Sequence, residues 1–133
     1  MIENLLHKAT TTSNIELNKI GKKLMGSAYV GTFMSDEIPT LLNEQCCIIN
    51  IQSSRQDGLH WCGLKKYKNR YYFYDAYTRN PKTLSRYWKS KKWIYGTHKK
   101  IDESNYSTDC GELSMAYLYT TYMFPTNLVL KYI

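Results

Sequence analysis

The sequence has no apolar run long enough for a membrane helix and nothing that reads as a signal peptide. Both absences argue against a membrane partner and against secretion. The four cysteines, Cys46, Cys47, Cys62 and Cys110, have none of the spacings of a zinc motif or a CxxC redox pair. Free thiols in a reducing intracellular setting are therefore the simplest expectation, with no metal and no required cofactor. Helix-turn-helix, zinc-finger and RNA-recognition signatures are also missing, which argues against sequence-specific reading of a nucleic acid. There is no internal repeat and no low-complexity segment. Acids are nearly absent from one long span: between Lys65 and Lys100 the only carboxylate is Asp75.

That same span carries Lys65, Lys66, Lys68, Arg70, Arg79, Lys82, Arg86, Lys89, Lys91, Lys92, Lys99 and Lys100, and the net charge is +7. A field this dense attracts polyanions and makes association salt-sensitive. Lys89, Lys91, Lys92, Lys99 and Lys100 are the candidate nucleic-acid contacts; the bland alternative is a solvated, soluble surface. At 133 residues the chain fits one domain able to bury a core, with 43% hydrophobic residues. Its 13 tyrosines suit half-buried strands or a peptide-binding groove.

Residues 1–25 read as helical pieces broken at Thr10–Asn14. Asn14 is a candidate N-cap, Leu17, Ile20 and Leu24 share a face, and Gly26 ends the helix. Gly31 to Pro39 reads as a connector. Cys46 to Ile51 is a compact run rich in β-branched residues and reads as a buried central strand, its adjacent cysteines pointing to opposite faces. Strands follow over about His60–Tyr67 and Arg70–Tyr77, with a tight turn at Lys68-Asn69. Lys82–Lys92 has helical composition, with Leu84, Tyr87 and Trp88 on one side, and Trp93-Ile94-Tyr95 is a short strand. A last helix starts at Cys110-Gly111. The order gives an α+β class.

A thiol hydrolase needs a nucleophilic sulfur, an imidazole to take its proton and a group that fixes the imidazole. Cys110 stands where a polar loop meets a helix, and free N–H groups at a helix start favour a thiolate and an oxyanion. Gly111 leaves room for close approach. With a two-residue turn at Lys68-Asn69, Cys62 faces Asp75 and His60 faces Tyr77. His60 and Asp75 then share a strand face as diagonal neighbours, with roughly 7–8 Å between their backbones. A slip of one residue would undo this. Trp61 is expected to shield the site or line the groove, or else to pack in the core. His98 competes weakly as a base, since no carboxylate stands near it in sequence, and His7 more weakly still.

Gly58-Leu59-His60-Trp61, Tyr74-Asp75-Ala76-Tyr77 and Asp109-Cys110-Gly111 follow in that order. Upstream stand Gly31-Thr32-Phe33, Ser35-Asp36-Glu37-Ile38-Pro39 and Ile48-Ile49-Asn50. Over residues 29–120 the chain resembles the adenovirus protease (adenain) family, from the same clan as the SUMO-specific proteases. The resemblance implies a papain-like, adenain-like fold: a small, mostly antiparallel sheet with the nucleophile on the N-terminus of a core helix. It implies a Cys110–His60–Asp75 triad in a cysteine endopeptidase. The substrates would be viral precursor proteins, cut beside small residues such as glycine during particle maturation inside the virion and host cell. Stimulation by DNA or another polyanion and a monomeric state go with this expectation. Two features depart from the family. Its glutamine before the cysteine is replaced by Glu103, and a carboxylate in place of an oxyanion donor implies low activity unless Glu103 is protonated, Asn105 supplies the amide or the backbone N–H suffices. The chain is also short after the nucleophile, a minimal version of the fold. Two other readings are a protease of ubiquitin-like modifiers, and an inactive basic nucleic-acid-binding protein on the same fold.

Overall fold

The computed structural model describes residues 14–51, 60–75, 80–89, 92–95 and 110–124. A five-stranded mixed sheet lies at its centre, in the order β1 (Tyr29–Phe33), β2 (Cys46–Asn50), β3 (Trp61–Tyr67), β4 (Arg70–Tyr74) and β5 (Ile94–Tyr95). Among the described residues three α-helices accompany it: α1 (Asn14–Met25), α2 (Pro81–Leu84) and α3 (Cys110–Met123). Class α+β is therefore observed. The three inner strands are antiparallel to one another, while β1 and β5 join the two edges in parallel. The antiparallel expectation thus holds at the centre and gives way at both edges. β1 falls in the stretch that reads as a connector, because a five-residue strand containing Gly31 has too little periodicity to stand out.

Every residue of β2 is buried, as its unbroken apolar run demands. Alternation sends Cys46 and Ile48 to one face, with Leu17, Met25, Trp61, Cys110, Met115 and Leu118, under α1 and α3. It sends Cys47 and Ile49 to the other, with Leu41, Cys62, Leu64, Phe73 and Trp88. Edge-to-face rings fill this second layer: Phe73 lies 5.5 Å from both Trp88 and Trp93. The helix expected over Lys82–Lys92 is broken. Asn80 caps α2, and Ser85, in extended conformation, then starts a 3₁₀ turn at Arg86–Trp88, its hydroxyl accepting from the Tyr87 N–H. A serine side chain that competes for backbone N–H groups divides the segment. The break delivers Trp88 to the core, where its Nε1 donates to the Ser35 carbonyl at 3.0 Å.

The β3–β4 hairpin matches the sequence register. Tyr67 pairs with Arg70, and Lys68 and Asn69 both have left-handed φ, +49° and +64°, which identifies a type I′ turn. Lys65 departs from its sequence reading as a surface cation. It lies mid-strand, 2% exposed, and its ammonium reaches Glu44 Oε1 at 3.3 Å. Its long stem packs in the layer while the head finds a carboxylate.

The buried stripe of α1 is Leu17, Gly21 and Met25, with Ile20 and Leu24 at its flank. Gly21 sets this roll. A Cβ there would stand 2.3 Å from Tyr29 Cδ2, a ring atom of a fully buried side chain. Gly21→Ala is expected to lower the unfolding free energy by about 1–3 kcal/mol, the usual cost of overpacking, in a urea titration.

Candidate active site

Three elements far apart in sequence supply the site. His60 immediately precedes β3, Asp75 immediately follows β4, and Cys110 opens α3. The hairpin register brings the first two together. Gly63 pairs with Tyr74, so one step further sets Cys62 against Asp75 and leaves His60 diagonal to it on the same face. His60 Nε2 donates to Asp75 Oδ1 at 2.5 Å, and both residues are buried, 8% and 3% exposed. The backbone continues the ladder here, since the Ile51 N–H donates to the His60 carbonyl.

α3 is anchored so that its first residue meets this pair. Ser114 Oγ donates to the Trp61 carbonyl at 3.2 Å, and the Trp61 N–H points at Cys110 Sγ at 3.4 Å. Further along, Gly63 leaves room for Leu118, and the Tyr74 and Tyr117 rings stack 4.6 Å apart. The Cys110 thiol, 5% exposed, is a hydrogen-bond partner of His60. Because Asp75 occupies Nε2, a proton exchanged with the sulfur would have to pass through Nδ1. Cys110 begins the helix, so the N–H groups of the first turn have no intrahelical partners and are available to an anion.

Burial by itself disfavours the imidazolium of His60, but other influences outweigh it. They are hydrogen bonds to Asp75, Cys110 and Cys62 and the electrostatic pull of Cys62, and together they raise the His60 pKa well above its ordinary 6.5.

Trp61 is 9% exposed and packs in the layer beneath α1 and α3. It fixes the helix start from the inside. Gly111 is buried for a related reason: a Cβ there would lie 3.1 Å from Trp61 Cδ1 and 3.4 Å from Leu17 Cδ1. Close packing favours glycine at this position, since Trp61 would have to give by a few tenths of an ångström to admit a Cβ.

The sequence register set Cys62 opposite Asp75 but gave it no role in the site. Its thiol donates to Asp75 Oδ1 at 3.8 Å, and it is fully buried. Its place two residues from His60 in an alternating strand was the available signal. Of the candidate polyanion contacts, Lys89 and Lys92 are exposed, and Lys91, Lys99 and Lys100 lie outside the described residues. Glu103, Asn105, His98 and His7 lie outside them too.

A cavity of about 540 Å³ opens at the other end of the hairpin, between Pro39, Arg70, Tyr71, Lys92 and Trp93. None of His60, Asp75 or Cys110 lines it. Among the described residues, no helix is long and apolar enough to cross a membrane. No protein-family model and no curated protein matches the chain.

Proposed function

We propose that this chain is a cysteine endopeptidase of the adenain type. The observation that supports it best is the position of His60, bonded to a buried carboxylate through Nε2 and partnered with a thiol at the tip of a helix. An imidazole held between an acceptor and a sulfur is the arrangement a thiol acyl-transfer site needs.

In this reading His60 takes the Cys110 proton, and the thiolate attacks the scissile carbonyl. The carbonyl oxygen becomes an oxyanion that accepts from the backbone N–H groups at the start of α3 and from an amide of the 103–105 segment. The His60 imidazolium then protonates the leaving amine. Water, activated by the neutral ring, hydrolyses the thioester and restores the thiol. Asp75 keeps the ring oriented and its proton on Nε2 throughout. The substrates are viral precursor polypeptides cut beside glycine or another small residue. The exposed cations Arg70, Arg86, Lys89 and Lys92 support attraction of a polyanion such as DNA.

The test is labelling with a glycine-ended peptide that carries a thiol-reactive group, followed by mass mapping of the adduct. Modification at Cys110 is the expected result. Modification confined to Cys46, Cys47 or Cys62 would overturn the assignment.

A further inference from the structure

The sulfur of Cys62 has no part in the proposed chemistry, yet it sits against the residues that perform it. Ligand atoms of His60, Cys62 and Asp75 all lie within 4.8 Å of one another, in a buried cluster. A tetrahedral zinc ion, with bonds of about 2.0–2.3 Å to nitrogen, oxygen and sulfur, spreads its ligand atoms roughly 3.3–3.8 Å apart. The Cys62 Sγ to Asp75 Oδ1 separation is already 3.8 Å. The His60–Asp75 contact, at 2.5 Å, is too short and must open by about 1 Å. Rotation of the imidazole and carboxylate supplies that movement without a change in backbone register.

We propose that His60, Cys62 and Asp75 form an inhibitory site for a thiophilic divalent cation, zinc above all. Nitrogen, sulfur and oxygen together suit zinc, whereas magnesium and calcium prefer oxygen alone. Binding replaces protons with metal: the Cys62 thiol loses its proton, and so does the His60 Nε2–H that Asp75 accepts. The imidazole is then tied up as a ligand and can neither receive the Cys110 proton nor return it to a leaving amine. The fourth coordination position is left to water. The four cysteines carry no zinc spacing because three of them take no part; the motif is a single His-x-Cys on one strand face, completed by a carboxylate from the next strand.

Metal binding stands on the cluster alone, and its inhibitory consequence rests on the protease reading. Cobalt(II) is the probe, since thiolate ligation gives a near-ultraviolet charge-transfer band. Titration is done first on Cys110→Ala, which removes the nucleophile and leaves the three ligands. A saturable band that zinc displaces is expected, with loss of the band in the double variant Cys110→Ala, Cys62→Ser. If the Cys110→Ala protein gives no band, or the band survives removal of Cys62, the site is refuted, whatever the protein does to peptides. In the unsubstituted protein, zinc is expected to suppress peptide cleavage, and Cys62→Ser to relieve that suppression. Equal zinc sensitivity with and without Cys62 would refute the regulatory role even if the band is present. Circular dichroism of each variant confirms the fold being titrated.

Discussion

Cys110→Ala is expected to abolish both covalent labelling and peptide cleavage, lowering kcat by on the order of 10⁶, as loss of a nucleophile does in hydrolases of this general kind. No other thiol is placed to take over. Cys46 and Cys47 open β2, fully enclosed on opposite faces of the sheet. Cys62 is the nearest substitute, since it touches Asp75 and His60. Its sulfur, however, rises from the second residue of a strand, with no helix start behind it and no exposure to solvent. A carbonyl at Cys62 would find no helix start whose first-turn N–H groups could donate to its oxyanion. Binding of an uncleaved glycine-ended peptide, followed by fluorescence anisotropy, should survive in Cys110→Ala, because the change removes two bonds' worth of chemistry and little of any binding surface. Cleavage that persists above about one per cent of the original rate would mean that the thiol is not the nucleophile.

The hairpin that builds the site could be read from the sequence because its determinants are local. Two turn residues between strands fix the register, and the register fixes which side chains become diagonal neighbours. His60 and Asp75 therefore met as expected. The helix start at Cys110 was legible for the same reason, a polar stretch giving way to a helical one. What stayed hidden depends on contacts between distant segments. Lys65 looks like one more surface cation until Glu44 is seen opposite it. The roll of α1 follows from the Tyr29 ring seated on Gly21, a relation no helical periodicity contains. Ser85 breaks a helix of ordinary propensity because Trp88 gains a buried place and a bond to Ser35 when it does. The register set Cys62 opposite Asp75, but its contact with the imidazole depends on how the His60 ring turns, which a register does not contain. Trp61 had two sequence roles open to it, and its backbone contacts with Cys110 and Ser114 place it inside the core.

Asp75→Asn should reduce kcat/KM by on the order of 10²–10⁴, since an amide that donates to Nε2 leaves the ring with its proton on the nitrogen facing the sulfur. A second signature separates this from a loss of fold. Asp75 is the foremost influence raising the His60 pKa, against the opposing effect of burial. Without it the imidazolium gives up its proton at lower pH, so the alkaline limb of the pH–rate profile moves downward in the variant. Stability carries the same linkage. The folded His60 pKa lies above the unfolded value near 6.5, so the native state holds an extra proton between the two. The stabilisation from this pair is complete below about pH 6.5 and is lost as pH rises through the folded value, by at most about 1.4 kcal/mol per pH unit. Urea unfolding at a series of pH values from 6 to 9 should therefore show the original protein weakening with pH more steeply than Asp75→Asn. Parallel pH dependences for the two proteins would mean that the carboxylate does not hold the charged form of His60. The catalytic role assigned to it here would then have to pass to another group.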